Sequence, residues 1–175
     1  MVARFKKVFY MLVEMLLGLC LHPAFRAKVL RVFGANIGSN VRIYDIHLFN
    51  LSNGFSNLTV CDDVFIGDCC KLDLEGPIYI GQGSALSVGV TVITHSDPGS
   101  FHGSSICREY PPFKKEVKIG SNCWLGANST FLPGSIVGDE VVVGACSLVI
   151  GELCSGNVYC GVPTKLQKKM KNIST

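Results

Sequence analysis

The sequence predicts an all-β solenoid, a parallel β-helix built from hexapeptide repeats. Large apolar residues recur at every sixth position through the second half of the chain, a spacing that suits neither an α-helix nor a flat strand. Six consecutive positions carry this pattern: Ile119, Leu125, Phe131, Val137, Val143 and Val149. Glycine follows four of them, at Gly120, Gly126, Gly138 and Gly144. This period fits a coil with flat faces and sharp corners, in which each short strand points one large side chain inward.

The same spacing recurs upstream and extends the predicted solenoid towards the N-terminus. Its positions are Ile37 and Ile43, then Val60, Ile66 and Leu72, then Ile80, Leu86 and Val92. Three hexads make a triangular coil of about 18 residues, and successive coils pair as parallel strands roughly 4.8 Å apart. Asn122 and Asn128 tolerate left-handed backbone angles, so we expect them at corners.

Two breaks interrupt the repeat. Residues 75–77, Glu-Gly-Pro, add two positions between Leu72 and Ile80 and predict a local turn. Residues 95–117 form a polar segment with several prolines and glycines that cannot follow the solenoid wall. We expect this segment to project as a loop, and loops on rigid scaffolds often carry functional residues.

The N-terminal residues 1–33 predict a helical segment that precedes the β-helix domain of residues 34–163. Its apolar run from Val8 to Leu21, interrupted by Glu14, is too short to span a bilayer. Basic residues flank the run, so it suits either a peripheral contact with anionic lipid through residues 1–30 or a hairpin packed on the domain or a neighbouring subunit. Residues 164–175 form a basic C-terminal tail.

Composition narrows the class of partner and the compartment. The net charge of +3 is too small to indicate a nucleic-acid partner. The nine cysteines lack zinc-finger spacing, and no secretory signal precedes them. Reduced, buried cysteines that act as small apolar residues are the better interpretation, and they predict a cytoplasmic protein, with the inner face of the membrane as a second possibility for its location.

The strings "IGSNCWLGANSTFLPGSIVGDEVVVGACSLV", "GVPTKL" and "VITHSDP" closely resemble the hexapeptide-repeat acyltransferases. The resemblance is strongest to their sugar O-acetyltransferase branch, which includes galactoside and maltose acetyltransferases and enzymes of polysaccharide biosynthesis. It covers roughly residues 37–169. It implies a left-handed β-helix, a homotrimer with active sites between neighbouring subunits, and acetyl-CoA as the donor; no metal is expected.

Histidine suits the chemistry of acetyl transfer, because a sugar hydroxyl needs a base that titrates near neutral pH. His95 lies where the regular wall ends, and the resemblance implies that it is the catalytic base. Asp97 is a candidate for orienting the imidazole, for binding substrate or for a turn, and His102 and Trp124 are candidates for the acceptor site. The resemblance also implies a second catalytic residue near Asp68 or Cys69, without assigning it.

The resemblance places the donor along the solenoid. Ala127 and Ala145 match positions at which the family contacts coenzyme A, and small residues would let the pantetheine arm approach the backbone. Lys165 and Lys168 would bind the nucleotide phosphates. A Thr-Lys pair of the family is replaced by Ile150-Gly151, which removes one expected phosphate contact.

The predicted function is therefore acetyl-CoA-dependent O-acetylation of a sugar or glycan hydroxyl, in polysaccharide or cell-surface glycan biosynthesis. Two alternatives share the fold: a sugar N-acetyltransferase and a trimeric scaffold without turnover. A zinc-dependent carbonic anhydrase of this architecture is not expected, because the seven-residue separation of His95 and His102 does not match the histidine spacing of that family.

Overall fold

The computed structural model describes residues 2–20 and 22–170. Two helices, α1 (Val2–Leu17) and α2 (Pro23–Val32), precede the strands. Proline at the first position of α2 suits a helix start, because its missing N–H would have no partner there. Short 3₁₀ turns occupy Leu51–Asn53, Ser100–His102 and Ser105–Arg108.

The strands, numbered along the chain, form the three faces of a prism and one small ladder. The first face contains β1 (Asn36–Ile37), β4 (Leu58–Val60), β7 (Ile78–Ile80), β12 (Val117–Ile119), β15 (Ile136–Val137) and β18 (Glu152–Leu153). The second contains β2 (Arg42–Ile43), β5 (Phe65–Ile66), β8 (Ala85–Leu86), β13 (Trp124–Leu125), β16 (Val142–Val143), β19 (Asn157–Cys160) and β20 (Lys165–Lys169). The third contains β3 (Ile46–Phe49), β6 (Cys70–Asp73), β9 (Thr91–Val92), β14 (Thr130–Phe131) and β17 (Leu148–Val149). The ladder pairs β10 (His95–Ser96) with β11 (Phe113–Lys114).

The strand registers confirm the six-residue pattern. Ile119 pairs in parallel with Val137, one complete coil further along the chain. The apolar positions of the repeat point inward and are almost completely buried, and Phe131 is among the largest buried side chains. The predicted corners are also confirmed, since Asn122 and Asn128 have φ angles of 55° and 56°.

Close stacking of the coils explains why position 126 is a glycine. A Cβ at Gly126 would lie 2.5 Å from the backbone nitrogen of Ala145 and 2.6 Å from the carbonyl oxygen of Val143, both on the next coil. These contacts are far inside van der Waals distance, so only glycine fits between the two coils.

Both predicted breaks occur where the sequence places them. Leu72 pairs with Val92, so the coil that contains residues 75–77 is two positions longer than three hexads. The longer segment leaves the wall at His95 and returns through the antiparallel β10–β11 ladder, in which His95 pairs with Lys114. The loop therefore has a short, rigid base beside the third face.

A third insertion, at residues 50–57, was not predicted. It lies between β3 and β4 and contains the 3₁₀ turn Leu51–Asn53. Phe55 in this insertion is fully buried and packs edge-on against Tyr10 of α1, with ring centroids 5.1 Å apart. The N-terminal helix α1 therefore packs against this insertion.

The helices cover one end of the solenoid. Val13 and Leu17 of α1 are buried, and α2 buries the guanidinium of Arg26. That guanidinium donates to the carbonyl oxygens of Leu17 at 3.2 Å and Cys20 at 2.9 Å, so it links the two helices. Among the described residues, neither helix has the length and apolar character needed to cross a bilayer.

Candidate active site

His95 begins the projecting loop, and its imidazole faces a buried carboxylate. The Nδ1 atom lies 2.5 Å from Oδ2 of Asp73, and the His95 side chain is 29 % exposed. An ionised carboxylate can only accept, so in the neutral imidazole Nδ1 carries the proton and its N–H donates a hydrogen bond to Asp73. This assignment leaves the lone pair on Nε2, the atom available to a substrate hydroxyl.

Asp73 is the last residue of β6 and is fully buried. Its Oδ2 accepts from the N–H of Thr94 at 2.9 Å and from the N–H of His95 at 3.2 Å, and the Thr94 hydroxyl lies 3.0 Å away. Its Oδ1 accepts from Asn50 Nδ2 at 2.9 Å and from the N–H of Glu75 at 3.2 Å. Both oxygens are therefore surrounded by donors from three segments of the chain.

The balance of these interactions keeps Asp73 ionised. Burial by itself raises the pKa of a carboxyl group, but hydrogen bonds from His95, Asn50, Thr94 and Glu75 outweigh it and hold the pKa of Asp73 below its ordinary value. An ionised Asp73 stabilises the imidazolium that forms when His95 accepts a proton. The pair thus has the arrangement of a general base and its orienting carboxylate.

A cavity of about 570 Å³ opens in front of His95. The projecting loop, the turn at Glu75 and helix α1 all contribute to its lining, and α1 does so through Lys7. Lys114 Nζ lies 3.8 Å from Glu75 Oε1 across the base of the loop. The volume is within the range of small-molecule sites.

Asp97 also lines this cavity, but its carboxylate serves the loop. Its Oδ2 accepts from the Ser100 hydroxyl at 2.6 Å, and its Oδ1 accepts from the N–H of Ser100 at 2.7 Å and of Gly99 at 2.9 Å. These bonds, led by that from the Ser100 side chain, lower the pKa of Asp97. Asp97 thus has the turn role, and Asp73 takes the orienting role that was one of the possibilities for Asp97.

The other predicted acceptor residues lie outside the cavity of a single chain. His102 is exposed in the 3₁₀ turn of the loop, and its neighbour Phe101 lines the cavity instead. Trp124 lies on the second face, is 58 % exposed, and donates from Nε1 to the Ser87 hydroxyl at 3.0 Å.

The predicted donor residues also lie away from His95 in a single chain. Ala127 and Ala145 occupy equivalent corners of successive coils, where Cys146 N–H donates to the Ala127 carbonyl at 2.8 Å. Lys165 and Lys168 lie on β20, which runs antiparallel to β19 with its side chains exposed. The two alanines and the two lysines therefore lie on the outside of the solenoid and do not line the cavity.

Sequence reasoning missed Asp73 and considered Asp68 or Cys69 instead. Asp68 accepts from the N–H of Asp45 at 3.1 Å, and Cys69 forms a corner with φ of 59°. Among the described residues, the side-chain hydrogen bond of His95 goes to Asp73 rather than to either of these two. One sequence signal points to Asp73: it is an acidic residue between two leucines, Leu72 and Leu74, directly after an inward position of the repeat. A buried carboxylate of this kind needs a partner.

The fold and the site define a class. The chain belongs to the bacterial hexapeptide-repeat transferases: residues 116–151 match the family description "Bacterial transferase hexapeptide (six repeats)", and the relative colanic acid biosynthesis acetyltransferase WcaF supports the same assignment. WcaF of Escherichia coli K12, named as putative, is 35% identical over 136 residues, which cover 77% of this chain and 69% of WcaF.

Other relatives carry related names. The putative lipopolysaccharide biosynthesis O-acetyl transferase WbbJ of E. coli K12 is 35% identical over 115 residues, or 62% of this chain and 58% of WbbJ. A galactoside O-acetyltransferase of Lactococcus lactis is 29% identical over 150 residues, or 86% of this chain and 70% of that enzyme. The match to WbbJ therefore spans less than two thirds of that protein.

Solved structures confirm the predicted left-handed β-helix. The hexapeptide-repeat acetyltransferase VCA0836 of Vibrio cholerae superposes with a TM-score of 0.84 at 17% identity, over 98% of this chain and 94% of VCA0836. VCA0836 in complex with acetyl coenzyme A superposes with a TM-score of 0.73 at 18% identity, over 97% and 89% of the two chains.

Proposed function

We propose that this protein transfers an acetyl group from acetyl-CoA to a hydroxyl of a sugar or glycan, with His95 as the general base. The observation that carries the proposal is the hydrogen bond between His95 Nδ1 and the buried Asp73 carboxylate at the mouth of a substrate-sized cavity. The names of the relatives, several of them sugar or polysaccharide O-acetyltransferases, support the same substrate class and a role in polysaccharide or cell-surface glycan biosynthesis.

The proposed reaction needs one base and no covalent intermediate. Nε2 of His95 removes the proton from the acceptor hydroxyl as its oxygen attacks the thioester carbonyl carbon. The new C–O bond forms, the C–S bond breaks, and the imidazolium returns the proton to the coenzyme A sulfur. Asp73 stabilises the positive charge that His95 carries between these two proton transfers.

The proposed donor site requires a neighbouring copy. Ala127, Ala145, Lys165 and Lys168 lie outside the His95 cavity of one chain, so a homotrimer with active sites at its seams would bring one subunit's donor residues to another subunit's base. In this arrangement Trp124, His102 and Asp97 line the acceptor side. Sedimentation equilibrium tests the assembly, and a monomeric protein with full activity would contradict it.

We also propose that residues 1–30 contact the inner face of the cytoplasmic membrane. Helix α1 and the turn after it expose a series of large apolar side chains: Phe5, Val8, Phe9, Met11, Leu12, Met15, Leu16 and Leu19. The exposed Lys28 of α2, one of the basic residues that flank the apolar run, would pair with anionic lipid headgroups. Flotation with anionic liposomes tests this contact: a double variant with Phe5 and Leu19 replaced by glutamate should stay with the soluble fraction, whereas equal flotation would contradict the proposal.

An acceptor screen that monitors release of coenzyme A tests the enzymatic proposal. A panel of free sugars, nucleotide sugars and amino sugars separates O-acetylation from N-acetylation. With an accepted substrate, His95→Ala should lower kcat by about a hundredfold or more, the usual contribution of a general base. Asp68→Asn, on an aspartate with no contact to His95, is the matched control and should retain activity. A His95→Ala variant as active as the parent would overturn the assignment.

A further inference from the structure

Helix α1 connects the His95 cavity to a second, apolar cavity. Lys7 lines the first cavity together with His95, and it also lines a cavity of about 550 Å³ between α1 and strand β3. The two spaces therefore share one lining residue, Lys7. The insertion at residues 50–57 borders both, through Ser52 on one side and Leu51 on the other.

The second cavity, here called the α1 groove, has an apolar wall with no cover in the described chain. Its wall consists of Val8, Met11, Leu12 and Met15, each more than half exposed. Its floor is strand β3, including the buried Leu48. The groove has the size of a ligand site and the surface of one that takes a hydrocarbon.

Among the described residues, Lys7 is the only cationic residue that lines both cavities. No carboxylate of the described residues lies within ion-pair distance of Lys7. Glu14 also lines the groove, but its Oε1 is engaged by the N–H of Leu48 at 3.2 Å and by His47 Nδ1 at 3.0 Å. A lysine that lines both a polar cavity and an apolar groove has the charge to bind a phosphate where the two adjoin.

We infer that the acceptor is an amphiphile, a sugar joined through a phosphate or diphosphate to a hydrocarbon chain. The sugar occupies the cavity at His95, the phosphate pairs with Lys7, and the hydrocarbon chain lies in the α1 groove. This inference rests on the proposed function, because it names the substrate class of the same site. It also gives helix α1 a role in substrate recognition as well as in covering the solenoid end.

Binding of farnesyl phosphate, used below its critical micelle concentration and without acetyl-CoA, tests the inference by titration calorimetry. Lys7→Ala should weaken binding by about tenfold, because that is the usual contribution of one charge-assisted hydrogen bond to affinity. Lys6→Ala is the matched control, since Lys6 is exposed on the same helix and lines neither cavity. Leu12→Gln should also weaken binding, whereas Leu16→Gln, exposed outside the groove, should not.

Three results would overturn the inference. The first is equal binding of farnesyl phosphate by Lys7→Ala and Lys6→Ala. The second is farnesol binding as tight as that of farnesyl phosphate, since the phosphate would then contribute nothing. The third is a Leu12→Gln protein that changes oligomeric state while the parent ignores farnesyl phosphate, which would assign the groove to a second copy. Failure of the proposed function shows separately, as absence of coenzyme A release in the acceptor screen, because the binding assay needs no turnover.

Discussion

Replacing Asp73 with asparagine tests the catalytic pair while keeping the shape of the buried side chain. The amide has one oxygen for two sets of donors. If that oxygen takes the place of Oδ2, it keeps the bonds from the N–H groups of Thr94 and His95 and from the imidazole, and the amide NH₂ then faces Asn50 and Glu75. The reverse orientation leaves more donors unpaired. We therefore expect the first orientation, in which the imidazole keeps its bond but loses the negative charge beside it.

The substitution should lower both kcat and the thermal stability of the fold. A hydrogen bond to a charged partner contributes about 1.5–3 kcal/mol, so loss of the charge should lower kcat by roughly 10- to 150-fold. Each of the two donors left without an acceptor should lower the free energy of unfolding by at most about 1–3 kcal/mol. For a chain of this size, each 1 kcal/mol lowers Tm by about 2–4 °C. The variant should therefore fold with a lower Tm and turn over slowly.

Steady-state kinetics with an accepted sugar and calorimetric unfolding measure the two effects separately. The Michaelis constant for acetyl-CoA should change little, because Asp73 lies behind His95 and is fully buried. Asp68→Asn controls for a change of aspartate on the same coil. An Asp73→Asn protein that unfolds at a lower temperature but keeps the parent kcat would refute the catalytic role and leave Asp73 with a structural one.

Three further predictions concern the scaffold and the donor site. Hydrogen bonds hold the pKa of Asp73 below its ordinary value of 3.8 despite burial. The ionised carboxylate therefore stabilises the fold above that pH, and this stabilisation is lost as pH falls through the lower folded-state pKa. In a plot of Tm against pH, Asp73→Asn should reduce the slope at the acidic end. Saturating coenzyme A should slow alkylation of the exposed Cys146, next to Ala145, but not of Cys154, as read by mass spectrometry; equal protection of both would count against the predicted donor path. Gly126→Ala should cost about 1–3 kcal/mol of unfolding free energy in denaturant titration, whereas Gly151→Asn, at φ 78° with open space around it, should cost little; equal losses would contradict the close stacking of coils.

The regular part of the fold follows from the sequence because its cause is local. Each hexad supplies one inward side chain and one corner, so the period alone specifies a three-sided coil, and the break at residues 75–77 and the loop after His95 appear as interruptions of that period. The hand of the coil is different. It depends on how consecutive strands cross over, and only the family resemblance predicted it.

The candidate site was only half predictable, because its contacts join distant segments. His95 was predicted from its chemistry, from its place at the end of the wall and from the family resemblance. Asp73 lies 22 positions earlier and meets His95 only because successive coils stack at that height. The contribution of α1 to the cavity is even harder to predict from the sequence. Lys7 lines the cavity because α1 packs against the insertion at residues 50–57, and this insertion carries no repeat and no recognisable motif.

A crystal structure of the complex with coenzyme A would show directly whether the donor reaches His95. We expect the pantetheine arm along the Ala127 and Ala145 corners of one copy, with its sulfur within about 4 Å of Nε2 of His95, close to hydrogen-bond reach and with room for the acceptor oxygen. The imidazole should keep its Nδ1 bond to Asp73. A coenzyme A sulfur far from His95, or an imidazole turned so that Nε2 faces Asp73, would contradict the proposed active site.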